Sequence, residues 1–460
     1  MSDTITSSVE GLLTGNLVYQ DLKADWQYFL NSFLGGSRYR AAGYLTRYAL
    51  ETNDEYTARL NTTHLDNHCK SVVDVYNSFL FREEPYRDLG NLTNLPETEE
   101  FLEDADFDGR SFNNFMKDVA QWSAVFGSCW VVLCKPTVGA ETRADEMYQG
   151  ARPYATLITP LAMLDWQWER RKNGAYVLKY IKYVEDINGD VKTVKEWTHD
   201  TIKTTTVKIT DDKIDSMQVV EVTEEENGMG HIPAVCAYNN KGIVRGIGNS
   251  DIADIADAQK SIYNLNSNIE EAIRLDAHPS LVQTPEVIGT STGPGSIIQM
   301  PTDMDPALKP YLLETSGASI GSILDTIKNY VDSIDTMSNV GGVRATQTRT
   351  MSGIALQTEF QLLNAKLAEK ADNLELAEEQ LWQHFAHYYD REWDGDVEYP
   401  GSFNIQDTPN EFNQLKVAAE TAKDPRVHEA IDEQIVELLG LKPEDVFKGT
   451  KPGTLDNNTQ

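Results

Sequence analysis

The sequence of 460 residues predicts an α+β fold that is mostly helical and has one block of strands near its centre. Apolar residues recur every three or four positions in residues 17–81 and in two long segments, 317–338 and 352–389, which predicts amphipathic helices. In residues 152–240, aromatic and aliphatic residues alternate with charged ones, which predicts strands with one buried and one exposed face. The rest of the chain is organised around the two long helical segments.

The charge balance limits the kind of partner that the chain can hold. The net charge is −32 and the isoelectric point is near 4.6, which argues against a protein that grips nucleic acid through its phosphates. The same charge is compatible with a surface past which nucleic acid must slide, because like charges prevent sticking. Solubility or adaptation to salt is the simpler explanation of the acidity.

Hydrophobic residues make up 40% and charged residues 24% of the chain, which indicates a folded, soluble protein. No run of about eighteen apolar residues occurs, so no membrane span is expected. The first residues have neither the basic start nor the apolar centre of a secretory signal. The four cysteines are too few and too scattered for a disulfide framework or a zinc cage, and Cys129 and Cys134 are predicted core residues. These features predict synthesis in a reducing cytoplasm.

Residues 17–81 are predicted to be helical, with a stop at Gly35-Gly36. His64 and His68 are spaced i, i+4 within this region, which is compatible with metal binding on one helix face, although a polar helix face is the simpler interpretation. Residues 104–109 begin like a calcium loop, but the twelfth position, which needs glutamate, is Phe115. No metal site is therefore predicted. Instead Ser111 is expected to cap a helix that ends at Gly127 and leads into a buried strand.

The strand block is predicted to begin with residues 152–170 as one extended piece. Asn188-Gly189 predicts a hairpin turn, and the segments up to residue 239 are expected to complete a meander. His199 and His231 are isolated in the sequence, and no catalytic constellation is apparent. Gly246-Ile247-Gly248 is only a fragment of a phosphate-binding motif.

Ser250 or Asp251 is expected to cap a helix that continues to about residue 277. Residues 278–316 are rich in proline and glycine and predict a small extended or β insertion. Two helices of similar length, on either side of a compact insertion, are expected to lie side by side in opposite directions. The second of these helices, within residues 317–338, carries an apolar stripe of Ile320, Leu324, Ile327, Val331 and Ile334.

After the second helix, the sequence SNVGGVRATQTRT has no helical period and contains the Gly341-Gly342 pair. The helix predicted over residues 352–389 would be roughly 55 Å long at about 1.5 Å per residue. Such a helix needs neighbours along its length. It is either a long core helix of one large domain or a helix that lies across a symmetric assembly. Residues 390–406 then predict turn and strand, two short helices follow with Pro425 at the start of the second, and the tail has the composition of disorder.

Four segments resemble tailed-bacteriophage portal proteins. SGIALQTEFQLLNAKLAEKADNLELAEEQL at 352–381 is similar to the opening of that family's longest helix, and GIGNSDIADIADAQKSIYNLNSNIEEAIRLDAHPSLV is similar to its descending stem helix and clip entry. ALETNDEYTARL with VYNSFLF, and DFDGRSFNNFMKDVAQWSAVFGSCWVVL, resemble the wing of some of its members. The ordered set spans roughly residues 40–440, and this order, rather than any single motif, carries the resemblance.

The resemblance implies a portal fold assembled as a ring around a central channel, usually of twelve subunits. Its parts would be a mostly helical wing over residues 1–248 and 351–408, a two-helix stem and a small α/β clip. The stem would be residues 249–276 and 317–338, the clip 277–316 and the tunnel loop 339–350. A short helical crown and the disordered tail would occupy residues 409–460.

The implied function is a structural conduit at one capsid vertex, through which double-stranded DNA is packaged and ejected without sequence-specific contacts. The implied partners are the major capsid protein, the terminase large subunit and the head–tail adaptor; neither cofactor nor membrane is implied. The protein would be made in the bacterial host cytoplasm and located in the virion. No catalytic residue is expected, because ATP hydrolysis would belong to the terminase, and the chain has no GxxxxGK[ST] loop. Two alternatives are another capsid-associated scaffold or adaptor and a metal-dependent hydrolase that uses His64 and His68.

Within that framework, the apolar stripe of residues 317–338 would be covered by neighbouring copies, because helices striped on one face need a partner. The opposite face, net acidic, would line the channel and let DNA pass; it consists of Asp325, Lys328, Asp332 and Asp335. The loop would approach DNA phosphates at the constriction, with the glycine pair as a hinge. Pairing of its arginines with carboxylates of a neighbouring subunit is the alternative. The loop residues in question are Gly341, Gly342, Arg344, Thr346, Gln347, Thr348 and Arg349.

Overall fold

The structure, a computed structural model, describes residues 11–136, 138–139, 142–209, 217–277, 280–282, 311–313, 318–344, 353–403, 415–419 and 425–438. The chain separates into two compact units, Met1–Phe403 and Asn404–Gln460. Helices and strands both contribute to the larger unit, as the predicted α+β class requires. None of the described helices is long and apolar enough to cross a membrane.

Four helices open the larger unit: α1 (Leu17–Leu34), α2 (Gly36–Ala41), α3 (Asn53–Thr62) and α4 (His68–Leu80). The helical region predicted up to residue 81 is interrupted at 63–67, because Asn67 accepts a hydrogen bond from the Lys70 backbone N–H and so begins a new helix. His64 lies in this link, where its ring meets Asp66, whereas His68 opens α4. The two histidines therefore do not share a helix face, and the metal-site geometry considered for them is wrong.

The acidic segment after α4 is a connection of short elements. Strand β1 (Tyr86–Asp88) and helix α5 (Pro96–Glu103) precede α6 (Phe112–Phe126). Ser111 caps α6 through the Asn114 N–H and Gly127 ends it with φ +91°, so both predicted boundaries are confirmed. A Cβ at Gly127 would collide with the Gly248 carbonyl group, which explains why glycine is required at this close backbone approach. Asp104 is a turn residue that accepts from the Gly109 N–H at 2.9 Å.

A three-stranded sheet lies in the core of this unit. Its centre is β2 (Ser128–Cys134), in which every residue is buried, including the predicted core cysteines. Helix α7 (Arg143–Tyr148) follows, and then β3 (Tyr154–Ile158) pairs with one edge of β2, and β9 (Ala234–Tyr238) with the other. The prediction that β9 completes the meander is wrong, since an apolar central strand needs hydrogen-bonded neighbours on both edges.

The remaining strands form a five-stranded antiparallel meander: β4 (Met163–Arg170), β5 (Tyr176–Asn188), β6 (Val191–Thr198), β7 (Thr201–Ile209) and β8 (Met217–Glu226). The predicted hairpin at Asn188-Gly189 is confirmed, with Gly189 at φ +61°. Residues 152–170 are not one extended piece. A turn closed by the Ala162 N–H and the Thr159 carbonyl separates β3 from β4 and sends them into different sheets.

Helix α8 (Ala253–Ala277) packs against α9 (Ala318–Ser338). The short strands β10 (Ser280–Val282) and β11 (Tyr311–Leu313) pair antiparallel, with Ser280 opposite Leu313. This pairing brings the end of α8 close to the start of α9, so the two helices run side by side in opposite directions, as predicted. Residues 283–310, most of the predicted insertion, lie outside the described residues.

The chain then forms α10 (Gly341–Arg344) and α11 (Gly353–His387), followed by β12 (Asp396–Glu398), which pairs with β1. At about 1.5 Å per residue α11 is about 52 Å long, close to the predicted length. The apolar stripe predicted for it is largely buried and packs against β2, β9 and α4. Its buried members are Leu363, Leu367, Ala371, Leu374, Ala377, Leu381 and Phe385. Within one chain, α11 is therefore a core helix.

The smaller unit contains a helical turn at 415–419 and helix α12 (Pro425–Leu438) in its described part. Pro425 is the first residue of α12, as predicted. The predicted disordered tail lies outside the described residues.

Candidate functional site

The apolar stripe of α9 is only partly covered by its own chain. Ile334 is fully buried, and Ile327 and Val331 are partly buried against the core of the larger unit. Ile320 is also partly buried, but Leu324 remains 53% exposed. The half of the stripe near α10 therefore belongs to the core of the subunit, whereas Leu324 remains exposed within it.

The predicted charged face of α9 is divided in a similar way. Asp325 and Lys328 are exposed and Asp332 is partly exposed, so these three side chains are available to solvent or a channel. Asp335 is only 7% exposed and pairs with Arg344. Its assignment to the exposed face is wrong, because position 335 lies near the end of α9, where its buried carboxylate meets Arg344 of α10.

The α9–α10 junction is fixed by polar contacts within the subunit. Arg344 donates to Asp335 Oδ1 at 2.8 Å and to His68 Nδ1 at 2.6 Å. Tyr76 on α4 donates its hydroxyl proton to the Ser338 carbonyl oxygen at 2.5 Å. Since His68 Nδ1 accepts, this ring is neutral; burial, and then the Arg344 charge, lower its pKa.

Two predictions for the loop are corrected by this junction. Gly341 is buried and begins α10, so the glycine pair is not a non-helical hinge. Arg344 is held by a carboxylate of its own chain, not left extended for DNA. Thr346, Gln347, Thr348 and Arg349 lie outside the described residues, so their predicted role remains a prediction.

A buried charged cluster holds the start of α8 against α11. The Asp251 carboxylate contacts the ammonium groups of Lys370 and, at 3.3 Å, Lys366. Burial alone would raise the pKa of Asp251, but the two lysines lower it below its ordinary value. Lys366 also donates to the Tyr76 hydroxyl at 2.9 Å, and Lys370 donates to the Asn239 side chain. This cluster connects α4, α8 and α11 next to the α9–α10 junction.

A second polar cluster was not predicted from the sequence. His231, which the sequence shows as isolated, stacks on His384 and meets His387 edge-on, with ring centroids 5.1 and 4.5 Å apart. His231 Nδ1 donates to the Met229 carbonyl oxygen at 2.9 Å, so its Nε2 accepts from His384 Nδ1 at 3.1 Å. His231 is about 150 positions from His384 in the chain, and no local sequence motif predicts their contact.

The three histidines line a cleft of about 730 Å³ between the β4–β5 turn and α11. Its charged side chains are Arg171, Lys241 and Arg245, and no carboxylate is found among the described residues that line it. In the wall, the indole N–H of Trp168 is buried without an acceptor. The cleft is therefore electropositive, in a chain of strongly negative net charge. In the described ranges, no group of three or more histidine, cysteine or acidic side chains is arranged to hold a metal ion.

The histidine cluster predicts acid sensitivity. Burial, and then the neighbouring His231 and His387, lower the pKa of His384 to about 3. Between pH 6.5 and 3, His384 is protonated in the unfolded chain but neutral in the folded chain. The free energy of unfolding therefore falls as the pH falls. The expected loss from His384 at pH 5 is about 2 kcal/mol. Urea unfolding at pH 7.5 and pH 5 measures it.

His384→Leu should reduce this loss of stability between pH 7.5 and pH 5. The matched control is His64→Gln, since His64 has an exposed side chain and should keep the wild-type profile. An unchanged pH dependence in His384→Leu would contradict the assignment.

A family model described as phage portal protein, SPP1 Gp6-like, matches residues 37–434. No curated protein matches the sequence. One similar solved structure is the virion of a native gene transfer agent (GTA) particle, with 11% identity over 88% of this chain and 97% of that chain and a TM-score of 0.44. Another is the neck of an empty GTA particle computed with C6 symmetry, with 11% identity over 89% and 100% of the chains and a TM-score of 0.47.

Proposed function

The chain belongs to the SPP1 Gp6-like phage portal protein family, and from this membership we propose that it forms the ring at one capsid vertex through which double-stranded DNA enters and leaves. The family match carries this proposal, because it spans residues 37–434 and so includes the α8–α9 pair, α10 and α11. The chain is thus a structural protein of a phage-like particle, and the proposed role needs no catalytic residue.

The proposed parts follow the helices. The wing would be residues 1–248 and 351–408, the stem 249–276 and 317–338, the clip 277–316, the tunnel loop 339–350 and the crown 409–460. Twelve copies would form the ring. The clip would meet the terminase large subunit during packaging and the head–tail adaptor afterwards, and the wing would meet the major capsid protein.

The exposed surface of α9 supports the proposed conduit. Leu324 is an unpartnered apolar side chain on a helix that the subunit covers on one side only. Asp325 and Asp332, on the other face, would present carboxylates to passing DNA, and like charges reduce retention of a polyanion. Lys328 reduces the negative charge of this face, but a single lysine does not form a continuous basic surface for phosphates.

The ring is the first consequence to test. Purified protein at micromolar concentration and physiological salt should show rings with an axial hole by negative-stain electron microscopy. A solid assembly without a hole would favour another capsid-associated scaffold or adaptor. A strictly monomeric protein would contradict the proposal.

Leu324→Asp should raise the protein concentration needed for ring formation at least about tenfold, since burying a leucine contributes about 1.5–3 kcal/mol. The subunit itself should stay folded, because Leu324 is exposed within it. Ser333→Asp, on the exposed opposite face of α9, is the matched control and should assemble normally. Mass photometry over a dilution series measures both variants, and equal assembly by Leu324→Asp would reject the stem-packing role.

A further inference from the structure

The two edges of the five-stranded sheet have opposite charge. The electropositive cleft lies at the β4–β5 edge, where Arg171 follows β4 and Tyr176 begins β5. The other edge of the sheet is β8, four strand spacings or about 19 Å from β4. An acidic run with the sequence EVTEEE, residues 221–226, ends this edge strand.

The cations of the cleft have no carboxylate partners in the described part of the chain. Several other guanidinium groups pair with acids, as Arg59 does with Glu51 at 2.7 Å. Arg245 instead lies over the ring of Tyr176, 3.9 Å from its centroid, and among the described residues neither Arg171 nor Lys241 has a carboxylate partner. A cluster of cations beside an unsatisfied indole N–H is suited to carboxylates.

In the described part of the chain, no strand pairs with the outer edge of β8. Residues 218–226 are all exposed, and Val219, Val220 and Val222 are 41%, 61% and 52% exposed. Val219 pairs with Val207 and Val222 with Thr205, so both valines extend the face of the sheet that is buried in β7. Sheet edges with exposed apolar side chains are sites of association unless something covers them.

We propose that β8 of one copy of this chain docks at the cleft of the next copy, with Glu224 and Glu226, which share one face of β8 with Val222, facing Arg171 and Lys241. The proposal rests on the ring proposed above, since opposite edges of one sheet form a head-to-tail contact, and such contacts form a ring when the rotation between neighbouring copies closes. A cleft of about 730 Å³ has room for a short extended segment. The acidity of the whole chain favours a carboxylate-bearing partner over nucleic acid.

Charge reversal tests the contact in the full-length protein. Arg171→Glu with Lys241→Glu, and separately Glu224→Lys with Glu226→Lys, should each raise the concentration needed for ring formation at least about tenfold. One chain that carries all four changes should assemble again, because the charges are exchanged across the same contact. Lys23→Glu with Lys117→Glu, a change of equal charge at exposed helix positions, is the matched control. Circular dichroism melting checks that every variant is folded.

The outcomes separate this proposal from the ring itself. Normal ring formation by both charge-reversal variants would overturn the docking contact and leave the ring intact. Loss of rings without recovery in the fourfold variant would also overturn it, because the two surfaces would then not face each other.

A second measurement applies even if the wild-type chain forms no rings. A fluorescent peptide with the sequence of β8, MQVVEVTEEE, should bind the full-length subunit in an anisotropy titration, and at least tenfold more weakly to Arg171→Glu with Lys241→Glu. Absence of binding to the wild type would overturn the proposal. Stronger competition by a duplex DNA oligonucleotide than by unlabelled peptide would do so too, by showing a phosphate site.

Discussion

Replacing Arg344 by glutamate should lower the free energy of unfolding by about 3–5 kcal/mol, the range expected when a buried ion pair loses one partner. The side chains of Asp335 and Arg344 are only 9% and 15% exposed, so the variant would place a second carboxylate beside a buried one. His68 would also lose the donor to its Nδ1. Chemical denaturation followed by tryptophan fluorescence measures the loss.

The same experiment distinguishes a structural role of Arg344 from a DNA-contacting role. Removing both charges, with Asp335→Asn and Arg344→Gln, should recover more than half of the lost stability, since a neutral hydrogen bond can replace the pair. A glutamate variant of normal stability but poor DNA packaging would restore the sequence-based assignment of Arg344 to the DNA. Arg349→Glu, the comparison in the loop, is expected to reduce packaged DNA without this stability loss.

Asp251→Ala should be destabilising by about 3–5 kcal/mol, because it leaves the Lys370 ammonium group buried without an anion. Lys370→Met should have a smaller effect, since Asp251 then keeps Lys366 at 3.3 Å. Urea unfolding of the two single variants at pH 7.5 tests this order.

Asp251→Leu combined with Lys370→Met should be more stable than Asp251→Ala, because removing both buried charges ends the desolvation penalty. Equal stability of the double variant and Asp251→Ala would contradict the account of the cluster. Since the cluster fixes the start of α8 against α11, its loss should also loosen the proposed stem.

Local signals predicted the elements of this fold well. Ser111 and Gly127 defined α6 because a cap and a left-handed glycine act through neighbouring backbone groups. The apolar stripe of α11 was correctly predicted because helical periodicity and burial have the same cause. The prediction of one continuous helix through residue 67 was wrong because the Asn67 cap lies inside an otherwise helical pattern.

Which strands pair and which side chains meet was harder to predict from the sequence. The sequence showed that β9 is a strand, but not that it pairs with β2 instead of β8. Arg344 and Asp335 were assigned to separate surfaces because their contact depends on the turn from α9 into α10. His231 was judged isolated for the same kind of reason, since His384 reaches it only through the packing of α11.

The amino-acid sequence alone therefore determined which segments of this protein are helices and strands, where most of them begin and end, and the family to which they belong. Periodicity, caps and turns are interactions between residues a few positions apart, so they can be read along the chain. Only the tertiary structure decided which charges are paired inside the subunit and which, like Arg171 and Lys241 at the cleft, have no carboxylate partner in the part of the chain that the structure describes. Those contacts join residues that are distant in sequence, and their energies depend on burial, which exists only once the elements have packed.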